Sequence, residues 1–247
     1  MRGASGYPVR IRFAKHGKVR FISHRDVARA FERAFRIEQL PLAFTEGFSP
    51  RPKVSFGLAL SVGHESDAEY LDVELTEPVD TDALPTRLTP VLPEGMPTTG
   101  AARLIERAPA LQESITEVSY RVATVDGRGR PVPGEVLGAA ASEAMASDEL
   151  AVTRVRKGKE SVDDLRPAIR SVEVSHDGDA PVLDLTLSTQ PRGARPREVL
   201  DALDSFAGVG LTEHHVLRTA QWIERGGARL EPLAADAFAL AVEASAS

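Results

Sequence analysis

Two successive segments of the chain carry the same order of strand and helix patterns, and this order limits the fold more than any other feature of the sequence. In the first segment, Val9 and Ile11 alternate with arginines, which is typical of a half-buried strand. Ser23 is placed to begin a helix, with Asp26 in the capping-box position, and apolar residues at helical spacing follow as far as Pro41. The complete pattern is strand, helix, strand, strand, helix, strand.

The same βαββαβ order is predicted again after residue 110. Alternation and helical spacing give the remaining elements of the first segment at Val54–Phe56, 70–75, 80–91 and 98–105. Those of the second segment are predicted at 118–125, Gly134–Ala146, 150–156, 172–174, 182–187, a helix from Pro196 and a strand at 211–223.

This order predicts an α+β protein made of two tandem ferredoxin-like modules, each with a four-stranded sheet and two helices on one face. The predicted domains are residues 1–110, residues 111–225 and a disordered tail at 226–247, which is rich in alanine, serine and acidic residues.

Cysteine is absent from the 247 residues. No disulfide framework, iron–sulfur cluster or cysteine nucleophile is therefore possible, and we predict no metal or cofactor. No apolar run approaches the roughly 18 residues that a membrane helix needs, so we expect a cytoplasmic protein with no membrane partner.

Charge is distributed unevenly along the chain. The net charge is −6, yet residues 9–64 contain eleven Lys and Arg against four Asp and Glu. Residues 65–110 contain ten acidic and three basic residues. The sequence therefore predicts a basic surface on the first module of an acidic protein.

Four arginines form the most regular part of this basic segment: Arg25, Arg29, Arg33 and Arg36. At 100° per residue they fall within about 80° of one another on the predicted helix, opposite its apolar side. Guanidinium groups can hold phosphates in bidentate fashion, which favours a nucleic-acid interface. The alternative is an ordinary solvated helix face.

A proline-rich loop follows this helix and contains Phe48, Arg51 and Lys53. An aromatic ring beside two cations can stack on a base and bind its phosphate. The pattern slightly favours the alternative for the ring itself, in which Phe48 fills the core under the loop. The full set of predicted nucleic-acid-binding residues is Arg20, Arg25, Arg29, Arg33, Arg36, Phe48, Arg51, Lys53, Arg154, Arg156, Lys157 and Lys159.

His24 is the one residue of the first module that we weigh as an acid or base for phosphodiester cleavage. A histidine at a helix start more often orders the cap, and the sequence provides no partner that fixes a catalytic dyad. We therefore predict no catalytic residue, with His24 as the candidate under the alternative of a metal-independent endoribonuclease.

Three motifs resemble those of the radical-SAM-linked protein family. They are the run from Phe13 to Asp26, with Ser23, His24 and Arg25 near its end, then Glu46 to Lys53, and then Glu69 to Asp72. The resemblance implies a protein of unsettled activity that is encoded beside, or fused behind, a radical-SAM enzyme with a cobalamin-binding domain. The chain itself cannot be the radical enzyme, because the iron–sulfur cluster needs three cysteines.

Together these observations predict a noncatalytic accessory protein that binds RNA and presents tRNA or rRNA to a radical-SAM modifying partner. The alternatives are the metal-independent endoribonuclease that uses His24 and a protein scaffold that docks its arginines on an acidic partner without RNA.

Overall fold

The computed structural model of the protein describes residues 6–105, 108–156, 158–235 and 237, and these form a mixed α+β structure. The strands are β1 (Tyr7–Lys15), β2 (Val54–Phe56), β3 (Glu65–Leu75), β4 (Thr98–Arg103), β5 (Glu117–Val125), β6 (Ala151–Arg156), β7 (Lys159–Asp164), β8 (Ile169–Asp177), β9 (Ala180–Ser188), β10 (Thr212–Arg225) and β11 (Ala228–Leu230). The α-helices are α1 (His24–Ile37), α2 (Leu84–Leu88), α3 (Leu111–Ser114), α4 (Gly134–Ala146), α5 (Pro196–Ala207) and α6 (Pro232–Ala235).

The chain divides into two compact units. The first unit contains Met1–Ile115 together with Gln221–Ser247, and the second contains Thr116–Ala220. The second unit is therefore an insertion between two parts of the first. Among the described residues, none of the helices combines the length and the apolar character needed to cross a membrane.

The sheet of the first unit has β1 at its centre. Strand β1 pairs antiparallel with β4 on one side and with β3 on the other, and β2 pairs antiparallel with β3. Helix α1 covers one face of this sheet with Val27, Phe31, Ala34 and Phe35, all buried. These side chains join the inward-facing residues of β1 and β3 in one apolar core, in which the rings of Phe13 and Phe31 meet edge to face at 4.7 Å.

Helix α1 begins as the sequence predicts. The Ser23 hydroxyl accepts a hydrogen bond from the backbone N–H of Asp26 at 3.3 Å, and the Asp26 carboxylate accepts one from the backbone N–H of Ser23 at 3.4 Å. The Ser23 hydroxyl also donates to the same carboxylate, and this bond lowers the pKa of Asp26 below its usual value. The helix ends at Ile37, four residues before Pro41, and Gln39 adopts a positive φ of 52°.

The opposite face of the same sheet is covered by the C-terminal part of the first unit. Arg10 is fully buried there, and its Nε and Nη2 donate to the two carboxylate oxygens of Asp72 at 2.7 and 2.9 Å. Its Nη1 donates to the Pro232 carbonyl at 3.0 Å. The Tyr70 hydroxyl donates to Glu231, and burial of this phenol is the main reason that the pKa of Tyr70 is raised.

The second unit has the strand order β10-β5-β9-β8, in which β9 pairs antiparallel with both β5 and β8. Helices α4 and α5 bury Leu137, Ala141, Leu200 and Leu203 among the apolar residues of this unit. Helix α4 has the bounds that the sequence predicts. Strands β6 and β7 form a separate antiparallel hairpin, so the polar segment between residues 150 and 165 contains one more strand than predicted.

The segment after Gly226 differs from the expected disordered tail over the residues that the structure describes. Strand β11 pairs with β10 through Ile223 and Leu230, and α6 follows at Pro232. The buried Arg10 and Tyr70 hold this segment through Pro232 and Glu231. Residue 236 and residues 238–247 of the predicted tail lie outside the described residues.

Candidate nucleic-acid interface

Helix α1 presents its four arginines to solvent. Arg25, Arg29, Arg33 and Arg36, which we call the arginine stripe, are all exposed, while the apolar side of the helix is buried. At 1.5 Å rise per residue the stripe extends about 17 Å along the helix axis, with steps of about 6 Å between the first three members. The helix therefore positions four cations in one row.

The arginine stripe has little internal neutralisation. Arg29 lies 3.4 Å from Asp26 in an ion pair whose side chains are 68% and 50% exposed, so the pair is weak. No ion pair of Arg25, Arg33 or Arg36 is found within the part of the chain that the structure describes. Glu32 is also exposed on this side of the helix and forms no ion pair with them. The stripe therefore retains a net positive charge.

Two of the basic residues that precede the helix do not reach the surface. Arg10 is fully buried against Asp72, and Lys15 is 4% exposed. The Lys15 ammonium donates to the backbone carbonyls of Arg20 and Ile22 at 3.3 and 3.2 Å, which fixes the turn that leads into α1. The charge count over residues 9–64 therefore overstates the basic surface, because these two cations serve the fold.

Arg20 and Lys53 remain partly exposed but are already paired. Arg20 Nη1 lies 3.3 Å from Glu65, and Lys53 Nζ lies 3.1 Å from Glu74. The guanidinium carbon of Arg20 also lies 4.8 Å from the ring centroid of Phe21, whose side chain is exposed. Binding of an anion at either cation would compete with a neighbouring carboxylate.

The loop between α1 and β2 is a narrow hairpin. Its arms are joined by hydrogen bonds from Thr45 N to the Arg51 carbonyl and from Lys53 N to the Ala43 carbonyl, both at 2.9 Å. The tip carries Phe48, whose side chain is fully exposed at 111% of its reference area. The interpretation that this ring fills the core is therefore wrong, since the hairpin directs it into solvent. Arg51 is exposed as well.

The basic residues of the second unit are placed differently from the arginine stripe. Arg154 is 23% exposed, and its guanidinium contacts Glu198 at 2.8 Å and Asp163 at 3.5 Å beside an open cleft of about 600 Å³. Two carboxylates therefore neutralise the positive charge of Arg154. Lys157 lies outside the described residues, and the side chains of Arg156 and Lys159 lie outside them too.

His24 is exposed at the start of α1, and its ring meets that of Phe56 edge to face at 5.0 Å. It lines a small pocket together with the buried residues Lys15 and Glu69. This pocket has room for about 20 Å³, which is enough for one water molecule. Within the described ranges, no group of three or more histidine, aspartate or glutamate side chains is arranged to hold a metal ion.

Sequence reasoning missed the buried polar residues behind the stripe. Lys15 and Glu69 are 4% and 8% exposed. Lys15 is covered by the adjacent turn, because its ammonium donates to the carbonyls of Arg20 and Ile22. Glu69 pairs in register with Phe13 and has the same parity as the buried Leu71 and Val73 of its strand, so it lies on the side of the sheet that α1 covers.

Comparisons with known proteins give one family and a set of solved structures. A family model described as "Uncharacterized protein conserved in bacteria (DUF2344)" matches residues 9–196. No curated protein matches the chain. A chain in the crystal structure of a Cbf5-Nop10-Gar1 complex has a TM-score of 0.50 and 12% identity, with 88% of this chain and 49% of that chain covered. At this identity the likeness concerns the fold alone.

A second structure, of an H/ACA RNP bound to a substrate RNA containing 2'-deoxyuridine, has a TM-score of 0.42 and 11% identity. It covers 90% of this chain and 48% of that one. The protein therefore spans about half the length of the chains that it matches in these two structures.

Proposed function

We propose that this chain, which belongs to the DUF2344 family of uncharacterized bacterial proteins, binds the phosphate backbone of RNA with its arginine stripe. The observation that carries the proposal is the row of exposed arginines on α1, three of which have no ion pair in the described part of the chain. Such a row is unexpected in a protein of net charge −6 unless an anion neutralises it.

The energetics of the stripe support a polyanion as the ligand. Like charges three and four residues apart on a helix destabilise it by a few tenths of a kcal/mol per pair. A strand of phosphates would remove this repulsion and would release counterions on binding. Arginine is also suited to the task, because its planar guanidinium can bind one phosphate through two hydrogen bonds.

We further propose that both units are ferredoxin-like, with the modules divided as the sequence predicts, at residues 1–110 and 111–225. The antiparallel pairings β4-β1-β3-β2 and the order β10-β5-β9-β8 support this proposal, since each has the first and third strands in the middle. Four-stranded sheets of this kind occur in RNA-binding modules, but the fold hosts many other functions. The assignment of RNA therefore depends on the arginine stripe.

The role that we propose is that of a noncatalytic accessory protein, which presents tRNA or rRNA to a radical-SAM enzyme in the cytoplasm. The partner is inferred from the motif resemblance of the segments 13–26, 46–53 and 69–72. The arginine stripe, at the centre of this role, would bind the RNA backbone and leave the bases free for the enzyme.

The decisive experiment measures the affinity for a mixed-sequence RNA as a function of salt. Each phosphate contact on a single strand contributes about −0.7 to the slope of log K against log salt concentration. The double variant Arg29→Glu, Arg33→Glu should weaken binding and make the slope shallower by about 1.4 if each arginine contacts one phosphate. DNA of the same sequence serves as the competitor.

The matched control is the double variant Arg128→Glu, Arg197→Glu. Both arginines are exposed and lie in the second unit, so the net charge changes by the same amount. We expect its affinity and slope to remain close to those of the natural protein. Equal losses in both double variants would show that the overall charge governs binding, and unchanged affinity in the first would remove the stripe from the interface.

A second candidate function is cleavage of RNA by His24. It is favoured by one observation, that the exposed His24 lines the same pocket as the buried Lys15 and Glu69. His24 is the group that could act as the acid or base on a phosphodiester, because it is exposed while the pocket behind it has room for about one water molecule. Incubation of the natural protein and of His24→Ala with labelled RNA in a chelator separates this candidate from simple binding.

A further inference from the structure

Phe48 is the most exposed large apolar side chain in the part of the chain that the structure describes. The other exposed large apolar side chains range from 38% for Phe206 to 69% for Val162, whereas Phe48 is fully exposed. A ring that gains no burial within its own chain contributes nothing to the apolar core. Its placement at a hairpin tip suggests that it is buried by a ligand instead.

The hairpin that carries Phe48 is held in shape by its own contacts. The Thr45 hydroxyl accepts a hydrogen bond from the Arg51 backbone N–H at 3.1 Å, in addition to the two backbone bonds between the arms. Pro50 and Pro52 restrict the backbone further. The arms below the tip are therefore joined before a ligand binds, which reduces the entropy lost when a ligand contacts the ring.

The neighbours of Phe48 favour a nucleobase over a protein partner. An aromatic anchor in a protein interface usually lies within an apolar patch that excludes water. The residues beside Phe48 in the sequence are Glu46, Gly47, Ser49, Pro50 and Arg51, all exposed and mostly without apolar side chains. The other exposed aromatic ring of the hairpin, Phe44, is 52% exposed and lies on an arm, where it bridges to Pro52. A single exposed ring next to an exposed guanidinium is typical of single-strand binding sites, where the ring stacks on a base and the cation binds its phosphate.

We infer that Phe48 stacks on an unpaired nucleobase, so that the protein selects RNA with single-stranded nucleotides over fully paired RNA. This inference rests on the proposed function, because the arginine stripe supplies the affinity for the backbone. Glu46 at the same tip disfavours a second phosphate and can accept a hydrogen bond from a base amino group. The ligand class is therefore RNA with at least one base out of a duplex.

The experiment uses the full chain with two RNA probes of equal length. One is a single strand with 2-aminopurine at one position, and the other is a blunt fully paired duplex. Phe48→Ala should weaken binding of the single strand about 5- to 150-fold, which corresponds to the 1–3 kcal/mol per stacked base. It should also abolish the fluorescence change of 2-aminopurine, and binding of the duplex should change little.

Two further variants separate stacking from simple apolar contact. Phe48→Leu keeps an apolar side chain but has no aromatic face, so it should lose as much affinity as Phe48→Ala, whereas Phe48→Trp should retain or increase it. Val162→Ala removes another exposed apolar side chain and should bind like the natural protein. Circular dichroism checks that the fold is unchanged.

The outcomes distinguish this inference from the proposed function. If Arg29→Glu, Arg33→Glu abolishes binding but Phe48→Ala leaves the single-strand affinity intact, the inference is wrong and the proposed function stands. The inference is also wrong if Phe48→Ala loses equal affinity for the duplex and the single strand, or if Phe48→Leu binds the single strand as tightly as the natural protein. If the natural protein binds neither probe, both fail.

Discussion

Replacement of Asp72 with alanine should lower the free energy of unfolding of the first unit by about 3 kcal/mol. Arg10 is fully buried, and two of its hydrogen bonds end on Asp72, at 2.7 and 2.9 Å. Removal of one partner of a buried ion pair costs about 3–5 kcal/mol, because the remaining charge stays in the interior. The lower end applies here, since Asp72 is 18% exposed and Arg10 keeps its bond to Pro232.

The assay is urea unfolding followed by the fluorescence of Trp222, the single tryptophan, which belongs to the first unit. Lys53→Ala removes an exposed ion pair of the same unit and should cost no more than about 1 kcal/mol. The double variant Arg10→Met, Asp72→Leu should recover most of the lost stability, because no buried charge remains. A loss in Asp72→Ala as small as that in Lys53→Ala would refute the reasoning.

Three other predictions concern pH, chemistry and partners. Hydrogen bonds from the backbone and side chain of Arg130 lower the pKa of Asp126 to about 2, so its contribution to stability is complete above about pH 4 and is lost as the pH falls towards 2. Titration of Asp126 by NMR tests this, and a pKa near 4 would show that the turn does not hold the carboxylate. The isolated chain should leave RNA intact in a chelator, and cleavage that is lost in His24→Ala would instead support the second candidate function. A radical-SAM enzyme encoded beside this chain should co-purify with it at micromolar affinity, as expected for a contact below about 1,200 Å², and more tightly when RNA bridges both proteins. If ribonuclease treatment has no effect, and the enzyme modifies its RNA equally well without this chain, the delivery role is wrong.

The elements that were predicted well are those set by local signals. Helix α1 follows from the reciprocal cap of Ser23 and Asp26 and from the spacing of Val27 and Phe31, which are contacts within one or two turns. The arginine stripe is exposed for the same reason, since the helical period fixes which side of α1 is buried.

The features that could not be predicted depend on residues far away in the sequence. Arg10 alternates with apolar residues, which is typical of solvent exposure, but a segment that begins more than 200 residues later covers it. Arg154 belongs to a basic run on β6, yet Glu198 on α5, 44 residues later, forms an ion pair with it. For Phe48 the sequence left both stacking on a base and burial in the core open, because the loop pattern does not show which way the hairpin tip points.

The cover over the second face of the first sheet has a consequence for synthesis on the ribosome. The ribosome synthesises the chain from the N-terminus, and α6 ends about 130 residues after β4. At a synthesis rate of roughly 5–20 residues per second, the covering segment is complete roughly 7 to 26 s after β4. During that time Arg10 and Tyr70 have their local strand partners but lack Pro232 and Glu231. The nascent first unit is therefore an incomplete domain while the whole of the second is made, and a chaperone that binds open sheet faces would find its target in that interval.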